Sequence, residues 1–278
     1  MTRFLKMHGL GNDFAVFDAR ETALALDPAT ARAIADRRHG VGCDQVIVIA
    51  PATNGADAAM RIFNSDGGEV ESCGNAARCV AQLLMAETGG DIIRLETVGG
   101  PLVCSEGADG LVTVDMGAPR FDWKDVPLSS QVDTNLFNLA VDGVSVEASA
   151  VSVGNPHCVI FVGDAENAPV AEVGPLIEHH PLFPQRANVE FATVVSRKRI
   201  RMRVWERGAG ITQACGTGAC ATAVAAARRG LTDRVVDIEL DGGILRIEWR
   251  ESDGHILMTG PAQLAFKGEI DLGVARGQ

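Results

Sequence analysis

The chain contains no tyrosine, so no phenolic acid or base is available to any chemistry it performs. It also lacks the Cys-x-x-Cys spacing of zinc ribbons and of dithiol redox sites, although it holds seven cysteines. No apolar run approaches the roughly 18 residues of a membrane-spanning helix. Positive charge is scarce as well: the formal net charge is −11 and the longest basic run is Arg197-Lys198-Arg199. A phosphate backbone needs clustered Lys and Arg, so nucleic acid is excluded as a partner. The start, Met1-Thr2-Arg3-Phe4-Leu5-Lys6, has no apolar core, and no signal peptide is expected. An odd cysteine count without an export signal points to reduced thiols and a cytoplasmic location.

What is present is an internal repeat. Cys73-Gly74-Asn75-Ala76-Ala77 and Cys215-Gly216-Thr217-Gly218-Ala219 lie 142 residues apart (73 to 215), and each opens an Ala-rich helical run. Gly11-Asn12 matches Gly154-Asn155, and Gln45-Val46 matches Asn188-Val189. Met60-Arg61-Ile62-Phe63-Asn64 matches Met202-Arg203-Val204-Trp205-Glu206, and Met116-Gly117 matches Met258-Thr259. With 46% apolar and 22% charged residues, two globular units of ordinary size can each bury a core.

Each half reads as short strands around one long apolar helix, Gly74–Thr88 in the first and Gly216–Arg229 in the second. Asp27 caps a further helix over 28–38, a fourth helix is expected near 170–178, and the segment 119–142 reads as the junction. Two sequence signals are set aside. Gly216-x-Gly218-x-x-Ala221 imitates a dinucleotide fingerprint, but the preceding strand ends near Trp205, too early for a tight strand–helix turn. Asp66-Gly67-Gly68-Glu69 lacks the spaced carboxylates of a calcium loop and reads as a turn; no metal site is expected.

A helix start leaves backbone N–H groups without partners in the helix and carries a partial positive charge. A cysteine there should have a lowered pKa, and a following glycine exposes donors that suit a carboxylate. Two equivalent starts could therefore supply two acid/base thiols for one carbon. The competing readings are a thiol–disulfide switch and a buried, inert pair of cysteines.

The residues Gly9-Leu10-Gly11-Asn12-Asp13-Phe14, Phe63-Asn64-Ser65-Asp66-Gly67, Ser72-Cys73-Gly74-Asn75, Gly154-Asn155-Pro156-His157 and Trp205-Glu206-Arg207-Gly208 running into Ala214-Cys215-Gly216-Thr217 resemble diaminopimelate epimerases over essentially the whole chain. The resemblance implies an α+β fold of two pseudo-symmetric α/β repeats. Each would be a curved, mostly antiparallel sheet wrapped round a central buried helix, with the active site in the cleft between them and closure on substrate. It implies domains 1–117 plus 263–278 and 118–262, the last strand (264–272) returning to the first.

It also implies epimerisation of LL- to meso-2,6-diaminopimelate without pyridoxal phosphate or any other cofactor, for lysine and peptidoglycan precursors. Cys73 and Cys215 would be the acid/base pair, with His157 and Glu206 supporting them. Backbone N–H groups of Gly74, Asn75, Gly216 and Thr217 would hold the reacting carboxylate, with Asn12 and Gln45 nearby. Arg207 would clamp the distal carboxylate with Asn64, Asn155 and Asn188, and Glu206 would help bind the distal amino group. A homodimer is compatible with the family. Proline racemase-like enzymes of the same fold are the alternative, but proline has no distal amino-acid group for Arg207 and the asparagines to hold.

Overall fold

The structure is a computed structural model and describes residues 1–71 and 73–275. The chain divides into two compact units, Met1–Val114 with the chain from Thr259 onward, and Asp115–Met258. In chain order the strands and helices are β1 (Thr2–Gly9), β2 (Asn12–Asp18), α1 (Pro28–Ala35), β3 (Gln45–Ala50), β4 (Ala58–Asn64), β5 (Glu69–Val70), α2 (Gly74–Thr88), β6 (Ile92–Thr97), β7 (Gly100–Glu106) and β8 (Val112–Asp115). There follow β9 (Phe137–Val141), β10 (Val144–Ser152), β11 (Pro156–Phe161), α3 (Val170–Glu178), β12 (Asn188–Ser196), β13 (Arg199–Glu206), β14 (Gly210–Ile211) and α4 (Gly216–Arg228). The chain continues through β15 (Val235–Leu240), β16 (Gly243–Trp249), β17 (Ile256–Gly260) and β18 (Gln263–Ile270). Among the described residues, no helix is long and apolar enough to cross a membrane.

Both units repeat one topology. In the first, β18, β1 and β2 pair antiparallel, β2 and β3 parallel, β3 and β4 antiparallel, β4 and β6 parallel, and β6 and β7 antiparallel. The second follows the same pattern through β9, β10, β11, β12, β13, β15 and β16. The outermost strand differs in origin: β9 precedes its repeat in sequence, whereas β18 follows both. The parallel partners β2 and β3 are continuous apolar runs, Phe14–Phe17 and Val46–Ile49, buried along both as strands covered on both faces must be.

Each long helix lies on the sheet of its own unit. α2 packs on β1, β2, β6 and β7, and α4 on β10, β11, β12, β13, β15 and β16. Alanine and glycine among the inward positions let helix and sheet approach closely, and α4 is buried from Gly218 through Ala226. The larger side chains supply most of the apolar area. Burial of Leu84 in α2 alone contributes about 2 kcal/mol. The helix leaves the core in its last turns and stops at Gly89, whose φ of 70° gives the left-handed cap that glycine adopts without strain.

Three expectations need correcting. α1 ends at Ala35 rather than near Arg38, because Asp36 turns extended (ψ 119°) and its carboxylate accepts from the Arg38 and His39 N–H groups. The 119–142 segment is not only a junction: it holds β9, whose alternating burial seats Phe137, Leu139 and Val141. α2 is buried on all sides only over its first two turns, and Ala86, Glu87 and Thr88 are exposed.

Candidate active site

In the first unit the polar residues gather because of strand direction. β2 and β3 run parallel and β4 returns, so the register Phe14–Gln45–Asn64 puts the start of β2, the start of β3 and the end of β4 at one edge. Gln45 Nε2 donates to Asn64 Oδ1 at 2.9 Å. Asn75, in the first turn of α2, donates from Nδ2 to Asn12 Oδ1 at 3.2 Å, and Asn12 Nδ2 donates to Asp44 at 3.0 Å. Cys73 is the N-cap residue of α2, extended at φ −148°, and partly exposed. Beneath this edge lies Arg78, a guanidinium with 0% exposure. It donates to Asn75 Oδ1 (2.9 Å) and to the Pro261 carbonyl (3.2 Å), so it orients Asn75 from below.

The second unit repeats the layout with different groups. Cys215 is the N-cap of α4, buried, its Sγ accepting from Gly218 N–H at 3.4 Å and lying 3.7 Å from Thr217 Oγ1. Asn155 Nδ2 donates to Thr217 Oγ1 at 3.3 Å, the counterpart of the Asn12–Asn75 contact. Asn155 Oδ1 also faces His157 Nε2 at 2.9 Å. Asn188 accepts the Arg207 N–H at 2.9 Å and donates to the Pro156 carbonyl at 3.2 Å. Glu206 closes β13, hydrogen-bonds Thr212 Oγ1 and lies within hydrogen-bonding reach of the Cys215 thiol. The Arg207 side chain is exposed, tied to the Gln185 carbonyl at 3.2 Å.

Three buried charged residues that sequence reasoning did not single out support these groups. Arg78 is the first. Glu178 is the second: it accepts from Trp205 Nε1 (2.7 Å) and from Gly208 N–H (3.0 Å), and so fixes the turn that carries Glu206 and Arg207. Glu190 is the third: its Oε1 lies 2.7 Å from His157 Nδ1, and neither side chain has any solvent exposure. A charged residue two places after Asn188 in an otherwise apolar strand was the available signal.

The electrostatics differ from the expectation of a lowered thiol pKa at a helix start. Burial pushes the Cys215 thiol well above its ordinary range, and the Glu206 and Glu190 carboxylates push it further. The Gly218 N–H and Thr217 hydroxyl act the other way and are outweighed. Desolvation exceeds the half-charge of a helix end when the site is closed to water and already negative. Burial also raises the Glu206 carboxyl, against the opposing effects of Thr212 and His157.

Two equivalent helix starts, each with a cysteine, a glycine and convergent amides, define a class of protein: a duplicated α+β enzyme fold that presents one thiol per repeat. Solved structures of this fold include a hydroxyproline epimerase from Agrobacterium vitis with bound trans-4-hydroxy-L-proline (TM-score 0.70, 16% identity, covering 96% of this chain and 91% of that one). A phenazine biosynthesis protein from Bacillus anthracis is similar at TM-score 0.68 and 16% identity, over 97% and 99% of the two chains. The family model described as diaminopimelate epimerase matches residues 4–122 and 149–265. A diaminopimelate epimerase from Rhodospirillum centenum is 58% identical over 96% of this chain and 92% of its own. One from Phenylobacterium zucineum is 53% identical over 96% and 97%. The chain belongs to the diaminopimelate epimerase family.

Proposed function

We propose that the protein interconverts LL- and meso-2,6-diaminopimelate by a cofactor-independent, two-thiol reaction. The observation that carries this reading is the pair of N-cap cysteines, Cys73 and Cys215, on equivalent buried helices, within a chain 58% identical to a diaminopimelate epimerase. One cysteine, as thiolate, takes the α-proton. The other, as thiol, returns a proton to the opposite face of the same carbon, and the two then exchange protonation states for the reverse reaction. The α-carbon is a very weak acid, so the charge that develops on its carboxylate needs fixed donors. The N–H groups of Gly74, Asn75, Gly216 and Thr217 supply them, with the Asn12 and Gln45 amides nearby. Arg207 pairs the distal carboxylate, and Asn64, Asn155 and Asn188 add directional bonds without charge. Glu206, within reach of the Cys215 thiol, orients that thiol together with His157 and helps hold the distal amino group.

The reaction belongs to lysine and peptidoglycan-precursor synthesis, in the cytoplasm. A homodimer is favoured by β18, an edge strand that leaves Leu264 and Phe266 about half exposed.

The test follows α-proton exchange of LL-diaminopimelate in D₂O by NMR, with reductant. Deuterium at the α-carbon together with appearance of the meso form is expected from the wild type. Cys73→Ser and Cys215→Ser should each lower kcat by about a thousand-fold. Folded, reduced wild type that exchanges proline but not diaminopimelate would overturn the substrate; variants with unchanged turnover would overturn the two-thiol mechanism.

A further inference from the structure

We propose that Glu190 is a positioning residue for the Cys215 half of the reaction: its buried carboxylate accepts from the Nδ1–H of His157 and so fixes that ring and its tautomer. This rests on the reading of Cys215 as an acid/base thiol. His157 Nδ1 meets Glu190 Oε1 at 2.7 Å and Nε2 meets Asn155 Oδ1 at 2.9 Å. A carboxylate only accepts, so the Nδ1 that faces Glu190 carries the hydrogen, and the buried carboxylate gains the donor that it needs. Asn155, on the other side of the ring, contacts Thr217 Oγ1 at 3.3 Å and so ties the ring to the start of α4.

Titratable groups face the ring from several elements. From β12 comes Glu190, from β13 Glu206 and from the start of α4 Cys215; the neighbouring Cys158 on β11 is fully buried, and burial and Glu190 both raise its thiol. From β10 the residue paired with His157 is Val151, which carries no charge. Two carboxylates beside one thiol make a site in which a thiolate is unfavourable, so the placement of the His157 ring between them bears on that thiol. Glu190 Oε2 is buried without a hydrogen-bond partner, so its surroundings do not explain the carboxylate by structure alone.

The repeat supplies the control. The counterparts of His157 and Glu190, 143 residues earlier, are Phe14 and Ile47 (14 to 157, 47 to 190), both buried in the same strand pair of the first unit. The fold thus accepts an apolar pair at this place, and a buried polar pair is often no more stabilising than such a replacement. Stability gives no reason for the polar pair in the second unit.

The experiment has two parts. In the full-length wild type, ¹⁵N-detected NMR of His157 should show Nδ1 carrying the hydrogen, and Glu190→Gln should lose that single tautomer. Glu190→Gln should also lose kcat by about ten-fold or more with KM within about two-fold. The double variant His157→Phe/Glu190→Ile, which copies the first unit's pair, should melt no lower than wild type and still lose kcat. An Nδ1 without hydrogen in the wild type, unchanged kcat in folded Glu190→Gln, or wild-type kcat in the double variant would each overturn the proposal. If Glu190→Gln does not fold, the wild-type ring state and the double variant decide. The NMR signature needs no turnover, so absence of epimerisation would sink the functional reading without touching the assignment of Glu190.

Discussion

Gly218→Ala is the sharpest probe of how tightly the second unit holds its thiol. Gly218 sits in the first turn of α4, and a Cβ there would lie 2.8 Å from Glu190 Oε1 and 3.2 Å from Cys215 Sγ. Alanine favours helix by up to about 1 kcal/mol over glycine. Against this stands overpacking, about 1–3 kcal/mol where a close-packed site must move. Net stability should therefore fall by about 0–2 kcal/mol, a shift of a few degrees in Tm for a unit of this size. Activity should change more. The carboxylate must retreat by about 0.5 Å to restore ordinary contact, which stretches the 2.7 Å His157 bond and displaces the sulfur that accepts from Gly218 N–H. Misplacement of about 1 Å can cost a hundred-fold, so about a ten-fold loss of kcat is expected. Thermal melting and coupled epimerisation assays on the same preparation measure both. A folded Gly218→Ala protein with wild-type kcat would show that Glu190 and Cys215 are not held in place as argued.

Other perturbations test the frame. Asp13 is raised by burial but held at about 2, below its ordinary 3.8, by Arg37 and the largely buried Lys6, whose Nζ lies 2.6 Å from it. A depressed carboxyl stabilises the fold above its unfolded pKa, and that stability is lost as pH falls through the folded value. Asp13→Asn should then cost about 1–2 kcal/mol at pH 7, after allowance for solvent screening, and little near pH 2. Equal losses in urea titrations at both pH values would contradict it. Burial pushes the Cys43 thiol up to about 11 and those of Cys79 and Cys104 up to about 12. Raised thiols stabilise fully below the unfolded pKa and lose that contribution as pH climbs towards the folded one. Chemical denaturation in reductant should therefore show a loss of about 1 kcal/mol per thiol between pH 9 and 10, and a flat profile would refute the burial argument. Gly67→Ala should destabilise by at least about 2 kcal/mol, because φ is 85° and the added Cβ would meet the Pro28 carbonyl oxygen at 2.2 Å; an unchanged midpoint of unfolding would show that this turn relaxes freely.

Much of the fold was legible from the repeat. The expected spans of α2 and α3 coincide with the observed helices, since glycines bound α2 at both ends and Pro169 marks the start of α3. The edge strands were harder to read. β18 exposes most of its residues, so its pattern lacks the alternation that marks a half-buried strand, and only the family resemblance anticipated its return to β1. β9 is short and follows a turn-rich stretch, so propensity favoured a linker until its pairing with β10 closed the sheet. Within each unit the expected polar residues do gather at one end of the sheet and at the helix start. Their partners, Arg78, Glu178 and Glu190, were not legible, because an isolated charge in an apolar run does not disclose which buried acceptor or donor it meets.

The error over the Cys215 thiol and the omission of Glu190 have one physical cause. A helix N-terminus is a local feature that sequence displays directly, and by itself it favours a thiolate. Desolvation and the two carboxylates arise from strands 9 to 25 positions away (206 to 215, 190 to 215) and exist only once β12, β13 and α4 are packed together. The first unit has Asn64 where the second has Glu206, and Ile47 where it has Glu190, so the same helix start meets different charges in the two repeats. Duplication preserved the backbone that presents a thiol. The charge that governs each thiol was then set separately, by side chains facing the helix start from the neighbouring strands.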